Sequence, residues 1–285
     1  MKALIDGDIL LHEISWSGQF KDKETGEEVL LDDEHVAKLL HQKIKDIIFE
    51  TMSDNEPIIY LTQSEYTNQY ENRLSKWRGE KPKKLIKGFR YGVAKSKPYK
   101  GNRQNPTPFH LPNIVAILMS DYNTVVSRDG LEADDMMCIE QYNSEVGDTI
   151  ICSRDKDLRI CPGHHYSWEC GNQRSVGPVV TDKVGHLEKA GANVLGYGLS
   201  FFYYQMLVGD SADNIPGLPG VGKVRAFNCL HSLDNEYDLF KVVKDYYKEV
   251  MREEAKEYFT EQANLLWMRM DDGKPYKFPE KVTKQ

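Results

Sequence analysis

Two kinds of chemistry lie side by side in the stretch LVGDSADNIPGLPGVG, which spans residues 207–222. Asp210 and Asp213 are three positions apart, so on a helical turn they would share one face, as a cation site requires. The glycines and prolines that follow exclude a regular helix or strand and predict a tight turn. A helix that begins after this turn, from Val221 onward, leaves backbone N–H groups available to a phosphate. The alternative is a helix end followed by an ordinary loop.

The composition is that of a globular protein without a membrane segment. The 285 residues suffice for one large domain, or for one domain and a smaller one, and 28% charged with 40% hydrophobic residues is ordinary. No apolar run approaches about eighteen residues, and Asp6 comes too early for a signal peptide. The five cysteines lack C-x-x-C spacing, so neither disulfides nor zinc are indicated. We therefore expect the protein in the cytoplasm, or in the host cytoplasm if it is viral. We also expect a monomer.

A strongly basic stretch interrupts this acidic chain. Twelve Lys and Arg with one acid, Glu80, lie between Arg73 and Arg103, so the stretch has a charge of +11 within a chain of net charge −7. A run of like charge is often a solvated, mobile segment. Here, however, aromatic residues are interleaved, and this combination suits single-stranded nucleic acid, which offers both phosphates and stackable bases. These aromatic residues are Trp77, Phe89, Tyr91 and Tyr99.

Short apolar strands alternate with helical patterns along the first half of the chain. This alternation predicts an α/β fold with a mostly parallel central sheet covered by helices on both faces. We expect an α/β core over residues 1–197, with a basic arch or clamp insertion at about 64–104, and a helical region over 198–285. The predicted strands span residues 3–5, 57–61, 124–126 and 149–152, and the predicted helices 33–52, 68–77, 111–119, 132–142 and 253–268.

Acidic residues follow several of the predicted strands. Because ligands bind at the carboxyl ends of parallel strands, Asp6, Glu132 and Asp155 should meet at one sheet edge. Asp155 and Asp157 are two apart, which places both side chains on one side of an extended segment. Such a cluster repels itself unless cations neutralise it, and oxygen ligands favour Mg²⁺ or Mn²⁺. Taken singly, each of these residues could instead be a helix cap or a turn residue.

Five pieces of the sequence occur in an order that carries a family resemblance. They are IDGD (5–8), YKGNR (99–103), EADD (132–135), SRDKD (153–157) and the stretch from Gly209 to Gly222. With these pieces the chain resembles the flap endonuclease and 5′→3′ exonuclease family, especially its bacterial and bacteriophage members. The resemblance spans roughly residues 5–225, and the last piece is the most specific of the five.

The resemblance implies a PIN-like nuclease core with two divalent ions, Mg²⁺ or Mn²⁺. Asp135 and Asp213 would support the metal site, and Lys100 with Arg103 would stabilise the charge that develops on the scissile phosphate. The residues implied as metal ligands are Asp6, Glu132, Asp134, Asp155, Asp157 and Asp210.

The resemblance also implies two DNA-binding elements. The turn after Gly209 would belong to a helix–three-turn–helix element that grips duplex phosphates without reading bases and that could hold K⁺. The basic stretch would form a helical arch or clamp over the active site. The implied DNA contacts are Gly217, Gly220, Gly222, Lys223, Arg90, Lys97 and Tyr99.

Two positions depart from the family pattern. Gln63 stands where the family usually has an Asp after the second strand, and an amide is a poorer Mg²⁺ ligand than a carboxylate. Gln205 stands five residues before Asp210, where some members carry Lys. Both departures concern the strength of metal binding more than the type of reaction.

These observations predict a metal-dependent 5′ nuclease of DNA replication, repair or recombination. It would act on DNA with a 5′ end or flap and could also remove RNA from RNA–DNA hybrids. One alternative is a related metal-dependent ribonuclease, which would not need the Gly217 turn. A second is a non-catalytic DNA-binding replication scaffold, favoured only by Gln63. A phosphatase-like enzyme would leave the basic stretch unexplained.

Overall fold

The computed structural model describes residues 1–103, 106–191 and 193–280, and the chain divides into two compact units. Unit 1 comprises residues 1–87, 105–155 and 164–179, and unit 2 comprises residues 88–104, 156–163 and 180–285. This division differs from the predicted boundary at residue 197, because residues 90–93 and 156–160 contact the C-terminal helices. Two parts of these predictions lie outside the described residues. They are the last residue of the predicted arch, Gln104, and residues 281–285 of the predicted helical region.

The chain alternates strands and helices in unit 1 and is mainly helical in unit 2. The strands are β1 (Lys2–Asp6), β2 (Gln19–Lys21), β3 (Glu28–Leu30), β4 (Ile58–Leu61), β5 (Asn123–Val126), β6 (Thr149–Cys152), β7 (Gly163–Ser167), β8 (Val176–Thr181), β9 (Leu187–Ala190) and β10 (Asn193–Gly196). The helices are α1 (Gly7–Ser17), α2 (Asp33–Thr51), α3 (Glu65–Arg78), α4 (Arg90–Val93), α5 (Leu111–Asp121), α6 (Ala133–Asn143), α7 (Gly198–Val208), α8 (Lys223–Leu230), α9 (Glu236–Met251) and α10 (Ala255–Leu266). A 3-10 turn spans Lys156–Ile160.

A six-stranded sheet in the order β5-β4-β1-β6-β7-β8 confirms the predicted fold class. Strand β1 lies between β4 and β6 and is parallel to both, so Ile5 is paired with Ile59 on one side and with Cys152 on the other. Strands β4 and β5 are parallel, as are β6 and β7. All residues of β4 and β6 are buried, which explains their continuous apolar sequences.

Helices cover both faces of this sheet. Helices α1, α2 and α5 contact one another, whereas α6 packs against β1, β4 and β6. In α2 the helical spacing buries Val36, Leu40, Ile44 and Ile47, as the sequence pattern predicts. Helix α1 and the antiparallel β2–β3 pair were not expected from the sequence.

Unit 2 is built around the apolar helix α7, in which nearly every side chain is buried. The Tyr203 hydroxyl is 3.0 Å from that of Tyr276, and the Tyr247 hydroxyl donates to the carbonyl of Met206. These contacts satisfy polar groups that would be costly to bury alone. Strands β9 and β10 add a short antiparallel pair. The helical character that we expected from Gly198 onward is therefore present.

None of the helices within residues 1–103, 106–191 and 193–280 combines the length and the apolar character needed to cross a membrane.

Candidate active site

The first two candidate ligands lie at the ends of adjacent parallel strands in unit 1. Asp6 ends β1, and Asp155 follows β6. The Ser153 hydroxyl donates to Asp6 Oδ2 at 2.6 Å and accepts from the Asp155 N–H at 2.9 Å. Asp6 Oδ1 also accepts from the Ile9 N–H at 3.1 Å and so caps α1. Asp6 is therefore a helix cap and a member of the predicted acidic edge at the same time.

Asp6 is poorly stabilised as a carboxylate. Its pKa is raised to about 7, first by burial and then by the negative charges of Asp8 and Asp155. Hydrogen bonds from Ser153 and from the Ile9 N–H oppose this rise without cancelling it. Strongly shifted carboxyl groups of this kind are common at functional sites, and a bound cation would offset the repulsion.

Thr62, just after β4, connects α1 with α6. Its N–H donates to Asp8 Oδ1 at 3.0 Å, and its hydroxyl accepts from the Ala133 N–H at 2.9 Å. Gly7 permits the close packing of α1 on β4, because a Cβ at this position would lie 2.6 Å from the Tyr60 carbonyl oxygen. Contacts between residues far apart in the chain thus hold together the ends of β1 and β4 and the start of α6.

The EADD motif forms the start of α6. Asp135 is fully buried, and its Oδ2 accepts from the Glu132 N–H at 3.1 Å, as part of a capping box. The Asp134 Oδ1 accepts from the Asp135 N–H at 2.6 Å. The Asp135 side chain therefore caps the start of the helix. Glu132 is the residue just before α6, and Asp134 is its second residue. Both lie near the end of β4, because the Ala133 N–H between them bonds to Thr62.

In unit 2, Lys156 lies between two of the predicted ligands. Its ammonium is 2.8 Å from Asp157 Oδ1 and 2.6 Å from Asp210 Oδ2. Gln205 donates from Nε2 to the same Asp157 oxygen at 2.7 Å. Gln205 therefore takes a neutral hydrogen-bonding role at the position where some family members carry Lys, and Lys156 supplies the positive charge.

The surroundings of Lys156 and Asp210 favour the charged form of each. Burial lowers the pKa of Lys156, but the carboxylates of Asp157 and Asp210 outweigh burial and raise it above its usual value. Burial likewise acts to raise the pKa of Asp210, yet the hydrogen bond with Asp157 and the Lys156 charge hold it below its usual value. A divalent ion at these carboxylates would have to displace an ammonium group that is half exposed.

The predicted supporting ligand Asp213 instead contacts the predicted catalytic loop. Its Oδ2 accepts from the Tyr99 hydroxyl at 3.0 Å, and its Oδ1 forms an ion pair with Arg103. The Asp213 carbonyl accepts from the Lys100 N–H at 2.9 Å. Lys100 has a left-handed backbone with φ of 55°, a conformation that a non-glycine residue adopts only where its surroundings impose it. The Lys100 ammonium lies 4.9 Å from the centre of the Tyr99 ring.

The Gly/Pro turn connects α7 to α8. Gly217 has φ of 65°, and a Cβ there would lie 2.2 Å from the Gly209 nitrogen, so the two backbones cross closely. Gly220 has φ of 79° but open space around it. Gly222 begins α8 without a side-chain cap. The exposed start of α8 is followed by Lys223, which donates to Asn193 Oδ1 at 3.0 Å.

The second half of the basic stretch belongs to unit 2, and two of its residues, Arg90 and Tyr99, are buried there. Arg90 is 1% exposed and donates to the carbonyls of Leu265 and Trp267 at 3.1 and 3.0 Å. The prediction that Arg90 contacts DNA is not supported by this burial. Tyr99 is also buried, so its ring is not available for base stacking in this conformation. Lys97, in contrast, is exposed.

The acidic residues of unit 1 fit a hard divalent cation in their chemistry, since Mg²⁺ and Mn²⁺ prefer oxygen ligands. The raised pKa of Asp6 agrees with this fit. Across the described parts of the chain, however, no three His, Cys, Asp or Glu side chains form a group able to hold a metal ion. Metal binding by these residues thus stays a prediction.

Three residues that contact the candidate ligands or their helices, two in unit 1 and one in unit 2, were missed from the sequence. Ser153, Thr62 and Lys156 are of types that occur in any loop, and their partners are far away in the chain. Ser153 and Lys156 lie within the SRDKD motif, which is the only signal that could have singled them out.

The chain is similar to two bacterial DNA polymerases, while no protein-family model matches it. It is 29% identical over 140 residues to DNA polymerase I of Rhizobium leguminosarum, covering 46% of this chain and 13% of that protein. It is 27% identical over 183 residues to DNA polymerase I of Bacillus subtilis, covering 61% of this chain and 20% of that protein. The chain therefore matches no more than a fifth of the length of these relatives.

Two solved structures share the fold over most of both chains. The T5 D15 protein co-crystallized with metal ions has a TM-score of 0.54 at 14% identity and covers 93% of this chain and 89% of its own. The bacteriophage T5 D15 flap endonuclease in a pseudo-enzyme–product complex with DNA and metal ions has a TM-score of 0.51 at 15% identity, covering 91% and 86%. The fold that the sequence resemblance implied is therefore confirmed.

Proposed function

We propose that this chain is a divalent-metal-dependent 5′ nuclease that hydrolyses DNA phosphodiesters at or near a 5′ end, in DNA replication, repair or recombination. One observation carries the proposal: Ser153 joins the buried Asp6 to the Asp155 segment at the carboxyl ends of adjacent parallel strands. Chemistry in this class of sheet takes place at that edge. The shared fold with the T5 D15 flap endonuclease supports the same reaction class.

We assign metal binding in unit 1 to Asp6, Glu132, Asp134 and Asp155, and we assign Asp157 and Asp210 a metal role in unit 2. When bound, divalent ions would activate a water and neutralise phosphate charge. Lys100 and Arg103 would contact the scissile phosphate, where a cationic side chain stabilises the developing charge. The Lys100 N–H and the Arg103 side chain both contact Asp213, so the backbone from which these two side chains extend is held in place.

The same proposal covers the substrate. The exposed backbone at Gly220 and Gly222, together with Lys223, would hold duplex phosphates, with K⁺ bound at the turn. We further propose that Mg²⁺ is the metal used, that two ions bind, that RNA–DNA hybrids are also cleaved, and that the protein acts as a monomer.

The test is product sizing with Mg²⁺ on three 5′-labelled DNA substrates: a 5′-flap duplex, a nicked duplex and a blunt duplex. Mononucleotides would identify an exonuclease, and one longer fragment would identify flap cleavage. The matching RNA substrates separate a ribonuclease from a DNA nuclease. Absence of cleavage of every DNA substrate with Mg²⁺ and with Mn²⁺ would contradict the proposal.

The scaffold alternative rests on Gln63, because an amide stands there in place of the Asp that is usual in the family that the chain resembles. The amide of Gln63 forms hydrogen bonds with the backbone of Lys84 and Ile86, so the side chain has a structural role in this chain.

A further inference from the structure

Two amide side chains in unit 1 pair with the backbone of the basic segment formed by residues 81–87, which has no regular secondary structure. Gln63 Nε2 donates to the Lys84 carbonyl at 2.9 Å, and Gln63 Oε1 accepts from the Ile86 N–H at 3.1 Å. Asn72 Oδ1 accepts from the Lys83 N–H at 2.7 Å, and its Nδ2 donates to the Lys83 carbonyl at 3.1 Å. Each side-chain amide thus donates one hydrogen bond to the backbone of the segment and accepts one from it. A backbone peptide group of a neighbouring strand would make the same pair of bonds.

The side chains of this segment lie at the surface. Every side chain from Lys81 to Lys87 is exposed, so burial of apolar groups does not hold the segment in place. One ion pair adds to the amide contacts: the Lys83 ammonium is 3.0 Å from Glu71 Oε1. Glu71 is itself buried on α3 and paired with Arg128, so its carboxylate is a fixed anchor.

Gln63 is also anchored at its own backbone, because its N–H donates to the Ser127 hydroxyl oxygen at 3.0 Å. It follows Thr62, the residue that contacts Asp8 and the start of α6. A carboxylate at position 63 would place an oxygen against the Lys84 carbonyl, and two acceptors repel. The hydrogen bonds to the segment therefore require the amide that this chain has where the family usually has Asp.

We propose that Gln63 and Asn72 are positioning residues that hold the backbone of residues 83–86 in place as a preformed contact surface for a single-stranded 5′ end, and that Gln63 is not a metal ligand. The proposal rests on the proposed function for its substrate. Holding the backbone gives the exposed Lys84 side chain a fixed starting position, so less order has to be gained when a strand binds.

Gln63→Glu separates the two roles, because they predict opposite effects. The change keeps the oxygen that faces the Ile86 N–H but replaces the donor that faces the Lys84 carbonyl. If Gln63 fixes the segment, amide hydrogen exchange at residues 83–86 should rise about tenfold, with Mn²⁺ affinity by calorimetry unchanged within about twofold. Tighter Mn²⁺ binding with unchanged exchange would overturn the proposal and make the position a metal ligand.

Asn72→Ala and Gln63→Ala extend the test to nucleic acid. With Ca²⁺ in place of Mg²⁺, both variants should weaken binding of a 5′-labelled single-stranded oligonucleotide about fivefold by fluorescence anisotropy, and should leave blunt-duplex binding unchanged. Gln69→Ala is the matched control, since Gln69 is exposed on the same helix and bonds only one turn away to Glu65. Single-strand binding like that of the control in both variants would overturn the proposal.

These readouts do not depend on catalysis. If the chain cleaves no substrate, the proposed nuclease function fails, but the exchange and anisotropy measurements still report on the segment. If cleavage occurs and the Gln63 and Asn72 variants exchange and bind as the wild type does, only the positioning role fails.

Discussion

The Tyr99 hydroxyl donates a hydrogen bond to Asp213, with 3.0 Å between Oη and Oδ2. It is one of several bonds between residues 98–103 and 211–214 of unit 2. Asn102 donates to the Ser211 carbonyl at 2.8 Å and Asn214 to the Pro98 carbonyl at 2.9 Å. Asp213 thus holds in place the loop that contains Lys100 and Arg103.

Tyr99→Phe removes only the hydroxyl of this contact. We expect the free energy of unfolding to fall by about 1 kcal/mol, because the part-buried carboxylate of Asp213 loses a hydrogen-bond donor. Turnover should fall severalfold while the Kd for DNA stays unchanged, since the loop is less well fixed. Chemical denaturation and single-turnover kinetics measure the two effects. Tyr142→Phe, at a half-exposed tyrosine of unit 1, is the control.

Asp6→Asn should stabilise the metal-free protein at pH 8. The pKa of Asp6 is about 7 in the folded chain, against an ordinary 3.8, so the folded state loses stability as the pH rises from 3.8 to about 7 and the loss is complete at pH 8. Asn keeps the acceptor for Ile9 and removes the charge, and the gain should be on the order of 3 kcal/mol. This gain in the free energy of unfolding should shrink as the pH falls from 8 towards 5. Thermal unfolding in EDTA measures it.

Added Mg²⁺ should raise the melting temperature of the wild type at pH 8 and have much less effect on Asp6→Asn. An equal Mg²⁺ response in both proteins would argue against Asp6 as a ligand. An unchanged melting temperature on mutation in EDTA would contradict the electrostatic reasoning instead.

Asp155→Asn and Asp210→Asn should each lower the cleavage rate about a thousandfold or more with Mg²⁺, because the proposed metal charge is no longer balanced. DNA binding in Ca²⁺ should remain within about threefold of the wild type. Asp245→Asn, at an exposed carboxylate on α9, should cleave normally. Wild-type cleavage by either of the first two variants would remove that residue from the metal site.

Lys100→Ala should reduce kcat about a hundredfold and change the Kd for DNA by no more than about threefold, because its charge would act on the transition state. Lys97→Ala, at an exposed lysine three residues away, should show the reverse pattern. Equal losses in kcat and in binding for Lys100→Ala would make Lys100 a positioning contact rather than a catalytic one.

Gly217 and Gly220, both in the turn, should respond differently to replacement by alanine. At Gly217 the new Cβ would lie 2.2 Å from the Gly209 nitrogen, so we expect a loss of about 3 kcal/mol or more in the free energy of unfolding. Gly220 has open space around it, and its φ of 79° alone should cost about 1 kcal/mol. Gly220→Ala should nevertheless weaken duplex binding in anisotropy measurements, and tight duplex binding would exclude the turn as a phosphate contact.

Much of the fold could be predicted because it depends on local patterns. Short apolar strands such as Thr149–Cys152 and the spaced apolar residues of α2 identify their elements without knowledge of the partner. Helix α1 was missed because its first residues, Gly7 and Asp8, are typical of a turn and the helix is anchored by packing on β4. The order of strands in the sheet was not predicted, because parallel neighbours are joined by long crossovers and tertiary contacts decide which strands pair.

The sequence by itself determined the α/β class, the acidic residues at strand ends and the glycine turn. Only the tertiary structure decided what Arg90, Gln63 and Asp213 do. The partners of Arg90 lie at Leu265 and Trp267, and no local pattern can reveal contacts between residues so far apart in the chain. A charged or amide side chain has the same propensities whether it faces solvent or a backbone carbonyl, so its use depends on where the folded chain places its partners.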